Sequence, residues 1–77
     1  MYVSFTKLCI DNHIEVKSHR SAPSGLMGVM LIAPHGKVWN SSYKSSSVEF
    51  YQDKGELVGE FLDRVRRYCT EIGLTDV

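Results

Sequence analysis

Arg64-Val65-Arg66-Arg67 places three guanidinium groups within four residues. A cluster of this kind can hold phosphate oxygens through paired N–H donors. Its neighbours weaken that chemistry: Glu60 precedes Arg64 by four positions, Asp63 precedes Arg67 by four, and Glu71 follows Arg67 by four. On a helix these are ion-pair spacings, each exposed pair contributing only ~0.3–0.5 kcal/mol, so the run is expected to be a solvated face neutralised by its own acids. Arg66 differs. It has only Asp63 at i−3, for which Arg67 competes, and it stands beside Gly59 and Leu62. It is the arginine expected to contact a partner.

The second set is His13, His19, His35, Cys9 and Cys69. Structural zinc in small domains uses tight ligand pairs such as C-x-x-C, and none is present, so no metal is expected. Surface histidines and core cysteines are the ordinary outcome. Nothing in the spacing supplies a base or an oxyanion hole for a cysteine nucleophile, and no catalytic residue is assigned. Glu56 and Glu60 are expected on an exposed helix face, where carboxylates keep ordinary acidity. Gly25 and Gly28 lack any G-x-G-x-x-G or Walker pattern, so neither a nucleotide nor another cofactor is expected.

The third set is aromatic and basic: Tyr2, Phe5, Lys7, Lys17, Arg20, Lys37, Trp39, Tyr43 and Lys44. Aromatics interleaved with lysines on one sheet face form a stacking platform for single strands. Strand alternation lets only one of Val38 and Trp39 point inward; Val38 is assigned to the core and Trp39 to the surface. Arg20, Lys37, Trp39, Tyr43, Lys44 and Arg66 are the residues expected to bind a partner. Gly55 and Gly59, spaced i and i+4, are read as tolerance near a helix start for Gly55 and as tolerance or close backbone approach for Gly59.

These residues sit in a chain of 77, with nine basic and nine acidic side chains. That size makes one domain, 1–77, with marginal stability. The balance hides an asymmetry: residues 1–48 carry five basic residues against two acids, and residues 49–77 carry four against seven. The sheet face opposite a packed helix would then carry positive potential. Two cysteines make no disulfide framework, residues 1–10 show no secretory pattern, and no apolar run is long enough to span a bilayer, so a cytoplasmic protein with reduced thiols and no membrane partner is expected.

The elements that must position these groups are a sheet in residues 1–51 and one helix over 53–74. Leu57, Val58, Phe61, Leu62, Val65, Tyr68, Cys69 and Ile72 repeat the i, i+3/i+4 step of one buried stripe. Asp53 is the expected N-cap, Glu56 its capping-box partner and Gly73 the left-handed C-cap. Residues 2–10 read as a strand with a bulge near Thr6-Lys7, and a turn at Asp11-Asn12 joins it to a second strand over 13–18. Residues 18–25 read as a loop. Residues 26–32 form an almost unbroken apolar strand, a type I turn follows at 33–36, and a returning strand over 37–44 completes a second hairpin. Residues 48–51 supply a short last strand.

The fold class is therefore α+β: an antiparallel β-meander of four to five strands with one C-terminal amphipathic helix packed on one face. The expected core is Val3, Phe5, Leu8, Ile14, Val16, Val29, Leu31, Val38, Phe50, Leu57, Phe61, Leu62, Val65, Tyr68 and Ile72. One helix leaves part of such a sheet uncovered, with Met27, Met30 or Ile32 in the open, and exposed apolar patches mark interfaces. A homodimer through the sheet or its edge, or docking onto another protein or complex, follows.

In type, though in no motif, the chain resembles adaptors and inhibitors encoded by phages or other mobile elements. That resemblance implies a non-enzymatic protein occupying a partner's surface, with a host defence or nucleic-acid-processing complex as the target. In element order alone it also resembles dimeric coactivator-type single-strand-binding domains, which implies nucleic acid as the alternative partner, less favoured because the basic excess is absent.

Overall fold

The computed structural model describes residues 4–21 and 23–77. Its elements run α1 (Phe5–Asp11), β1 (Glu15–Arg20), β2 (Met27–Ile32), β3 (Lys37–Trp39), β4 (Ser47–Tyr51), α2 (Val58–Glu71) and β5 (Leu74–Asp76). The class is α+β with five antiparallel strands and the expected C-terminal helix. The strands divide into a three-stranded sheet, β1-β2-β4, and a two-stranded ribbon, β3-β5.

The stripe of α2 sets the interior. Phe61, Val65 and Cys69 fall four apart and are buried against Val29, Leu31, Ala33, Trp39 and Cys9. Phe5, Leu8, Ile14, Met27, Val48, Phe50, Leu62 and Tyr68 pack around that centre. Pairing of Val29 with Phe50 and of Leu31 with Val48 places these four on one face of the sheet, under the helix. At the end of α2, Gly73 adopts φ +68°, the left-handed cap expected of it.

Residues 5–11 are helix rather than strand. The Ser4 hydroxyl accepts the Lys7 N–H at 3.1 Å, and Lys7 meets Asp11 at 3.0 Å one turn on. Phe5, Leu8 and Cys9 thereby share one inward face, while Ile10 is exposed. The expected first hairpin does not form, and β1 pairs with β2 instead. The turn lies at Asn12-His13, with His13 at φ +57°. The expected core position Val3 and the platform residue Tyr2 lie outside the described residues.

The second hairpin is also absent. The turn after β2 forms, with the Lys37 N–H on the Pro34 carbonyl at 3.0 Å. Gly36 takes φ +86°, the type II signature rather than type I. The chain then leaves the sheet, and β3 pairs with β5, a strand absent from the sequence reading. This reverses the assignment of Val38 and Trp39. Trp39 is 0 % exposed, its Nε1–H donates to the Leu31 carbonyl at 3.3 Å, and its ring lies 5.9 Å from that of Tyr68. Val38 is half-buried outside the core cluster, as is Ile72. Between two alternating neighbours the larger apolar surface went inside, with its one polar atom bonded.

Two more expected core residues are exposed. Val16 is 40 % exposed because β1 is the edge strand and one helix, about 10 Å across, roofs only about two strands. Leu57 is 69 % exposed because α2 begins at Val58 and Leu57 is an extended cap residue. Asp53 is no N-cap: Gly55 at φ +88° cannot continue a helix, and the Glu56 N–H closes a turn on the Asp53 carbonyl at 3.0 Å. Glycine is required there, not merely tolerated.

That turn is tied to the helix by one side chain. Glu56 accepts Arg64 Nη2 at 2.9 Å, Arg64 Nε at 3.2 Å and the Asp53 N–H at 3.0 Å, while Arg64 also reaches the Tyr51 carbonyl at 2.8 Å. Arg64 therefore pairs across to Glu56 and not with Glu60, whose carboxylate takes the Leu57 N–H at 3.0 Å. The Arg64 guanidinium beside Glu56, with help from the Asp53 N–H, holds that carboxyl below its ordinary range.

The packing of Trp39 and the pairing of Glu56 can each be tested by substitution. Trp39→Ala should lower the unfolding free energy by about 3–5 kcal/mol in urea titration, whereas an exposed tryptophan would cost within about 0.5 kcal/mol. A carboxyl depressed in the fold contributes stability above its unfolded pKa and loses it as pH falls through the folded one. Glu56→Gln should therefore lower the urea midpoint at pH 7, and the gap from wild type should close on acidification below the ordinary value of 4.5. A gap unchanged by acid would contradict the Arg64 pairing.

Candidate functional site

The face of the three-stranded sheet away from α2 carries three cross-strand rows. Glu15 aligns with Ile32 and Ser47, Lys17 with Met30 and Glu49, and His19 with Gly28 and Tyr51. The central strand contributes the apolar middle of two rows, and β1 and β4 contribute the polar flanks. All six residues of β1 are exposed, and among the described residues β1 pairs with β2 alone, so this face ends at an open strand edge. Of the side chains expected in the open, Met30 and Ile32 stand here, whereas Met27 packs against the core beneath the helix.

Gly28 explains the local relief. A Cβ there would lie 2.6 Å from His19 Cε1, so the imidazole rests on the strand where any other residue would project. The His19 and Tyr51 rings approach edge to face at 6.3 Å across the glycine. Beside them a shallow depression of about 290 Å³ is walled by Lys17, His19, Met30, Glu49 and Tyr51. The Tyr51 hydroxyl donates to Glu49, and that bond together with the carboxylate's charge raises the phenol's pKa. The surface is thus mixed: one ammonium, one carboxylate, a thioether and two aromatic edges within one patch.

The residues that the sequence marks as partner-binding are not brought together. Arg20 closes the far end of β1 and donates to the Gly25 carbonyl at 2.9 Å. Lys37 is paired with Asp76 at 2.6 Å, which lowers the pKa of that carboxyl. Trp39 is buried. Tyr43 is 92 % exposed in the loop between β3 and β4, next to Lys44, whose Nζ donates to Asn40 at 2.8 Å. Arg66 lies on α2, its Nε 3.9 Å from Asp63, in a groove of about 340 Å³ that also takes Phe5, Thr6, Gly59 and Leu62 as walls. A Cβ on Gly59 would meet nothing within 4 Å among the described residues, so no backbone approach demands that glycine.

The nucleic-acid platform loses its parts in the same way. Trp39 is under the helix, Phe5 packs from α1, and Lys37 is neutralised. The expected positive face has no positive excess, since Glu15 and Glu49 share it with Lys17. Cys9 and Cys69 are buried, and burial pushes both thiols up, Cys69 to about 12 with Cys9 adding to the effect. Both stay protonated and weakly nucleophilic at neutral pH. Among the described residues no group of three or more His, Cys, Asp or Glu is placed to hold a metal ion, and no helix is long and apolar enough to cross a membrane.

The rows of this face depend on β4 pairing directly with β2, which skips a strand in the sequence. In the sequence itself the face is marked by the alternation of Glu15 and Lys17 against Val16 and by the apolar excess of residues 26–32. Comparison with known proteins finds no matching family model, no matching curated protein and no matching solved structure.

Gly28→Ala should displace the His19 ring from the strand. The side chain is exposed and able to swing outward, so the unfolding midpoint should move little while the ring-current shifts linking His19 and Tyr51 collapse in proton NMR. Retained shifts would contradict the stacking.

Proposed function

We propose that this chain is a non-enzymatic binding protein that works by occupying the surface of another protein. Its contact side is the uncovered face of the β1-β2-β4 sheet together with the β1 edge. The observation that carries the reading is the half-roofed sheet: one face holds Val29 and Leu31 under α2, and the other leaves Met30, Ile32 and Tyr51 beside Lys17 and Glu49 without a covering layer among the described residues. Apolar groups interleaved with opposite charges suit a protein surface, where complementarity sets the register. A phosphate backbone would favour cations alone. An open edge strand adds a row of main-chain donors and acceptors that a partner strand can extend.

The test is affinity capture from a native extract, with and without nuclease, comparing wild type with Met30→Glu and Tyr51→Ala. A defined protein should survive nuclease treatment and fall at least tenfold in both variants, while their unfolding midpoints stay near wild type. Alanine at Tyr43 or Lys44, in the β3–β4 loop, should leave capture intact. Nuclease-sensitive capture, or oligonucleotide binding that weakens steeply with salt, would instead favour the single-strand reading and overturn this one.

A further inference from the structure

The open face is complementary to itself, and we infer that it pairs with a second copy of this chain, sheet against sheet, about a twofold axis that lies between the two sheets and runs parallel to β2. The inference rests on reading this face as a contact surface, and it names the occupant.

The register makes the case. β1 and β4 both run antiparallel to β2, so they run in the same direction as each other on either side of it. A half-turn about a line parallel to β2 therefore lays β1 of one copy over β4 of the next, in the same direction and with the rows still aligned. Lys17 then faces the second copy's Glu49, and Glu49 faces its Lys17. Met30 meets Met30 between these two ion pairs. In the adjoining row each His19, resting over its own Gly28, comes opposite the second copy's Tyr51, and in the last row Ile32 meets Ile32.

The cation lies on one flank of the central strand and the anion on the other within one row, which is the antisymmetry an isologous interface requires. Two cations or two anions at these positions would repel under the same operation. Sheets packed this way lie about 10 Å apart and nearly aligned, a spacing that long side chains such as methionine and lysine fill. In the Gly28 row each imidazole occupies the space over its own glycine, so the four aromatic rings of this row meet without a central side chain between them.

The face is small. Three strands at about 4.8 Å and five residues at about 3.3 Å give a footprint of roughly 250 Å², well under the roughly 800 Å² per partner of a standard interface. The pairing is accordingly weak and concentration-dependent, and it loosens with salt because its ion pairs sit at the rim. Both β1 edges stay at the outside of the pair, available to a further protein.

Sedimentation velocity and light scattering across a wide concentration range test this. Wild type should shift from monomer towards twice its mass as concentration rises. Lys17→Glu and Glu49→Lys should each remain monomeric, because each brings like charges together twice. An equimolar mixture of the two variants should regain the doubled mass. In that mixed pair the carboxylate introduced at position 17 of one chain faces the ammonium introduced at position 49 of the other, and the native Glu49 of the first faces the native Lys17 of the second. The double reversal in one chain should also regain it. Circular dichroism melts confirm that the variants fold.

Wild type that stays monomeric throughout, or doubles in a way neither reversal disturbs, would overturn the inference; the latter outcome points to pairing through the β1 edge. A monomer that still captures a protein through Met30 and Tyr51 would overturn self-pairing and leave the binding reading standing. A dimer that obeys the charge logic yet captures nothing would support self-pairing and remove the proposed function.

Discussion

The seating of Phe61, Val65 and Cys69 on Val29, Leu31 and Trp39 decides every other feature of this chain. Four of these side chains, Phe61, Val65, Leu31 and Trp39, are completely enclosed. Each large apolar residue buried in this way contributes about 1.5–3 kcal/mol, and a domain of this size has few of them. The tryptophan adds a structural link. Its indole N–H bonds the backbone of β2, so the strand that leaves the sheet is still held to it beneath the helix. Once α2 is fixed on one face by these contacts, its limited width leaves the edge strand β1 and the far side of the sheet without a roof among the described residues.

What stands on that far side follows from alternation. With Val29 and Leu31 facing the helix, Gly28, Met30 and Ile32 must face away, and the ladder brings Lys17, His19, Glu49 and Tyr51 into line with them. The same register that builds the core thus sorts a cation to one flank and an anion to the other. The proposed contact surface needs no strained backbone and no buried charge. Its specificity lies in the order of charges across three strands, and its weakness lies in its small area.

The sequence is most legible where one periodicity stands alone. The stripe of α2, the apolar run of β2 and the cap at Gly73 follow from spacing and chemistry. Expectation and structure part where two signals overlap or where a partner is distant. In residues 2–10, Phe5 and Leu8 share one face of a strand only if a bulge lies between them, although three residues apart they also fit one helical face, and the Ser4 cap decides the matter. Gly55 looks like an ordinary early helix residue because a positive φ leaves no mark on a sequence. Trp39 is misplaced by pairing β3 with β2, because its true neighbour, β5, lies more than thirty residues on. The proposed contact surface is half visible: the alternation in β1 is clear, but the row that opposes Lys17 to Glu49 depends on a non-local pairing that skips β3.

The two faces of one sheet have different fates, and two methionines of β2 report on them separately. Met27 lies on the face beneath α2, and Met30 lies on the face opposite. Oxidation by a mild peroxide pulse, read by fragmentation mass spectrometry, gives both rates in one experiment. At high dilution Met30 should oxidise faster than Met27, and on concentrating the protein the Met30 rate should fall severalfold while that of Met27 stays constant. Equal rates at every concentration, or protection that develops at Met27 instead, would contradict the account.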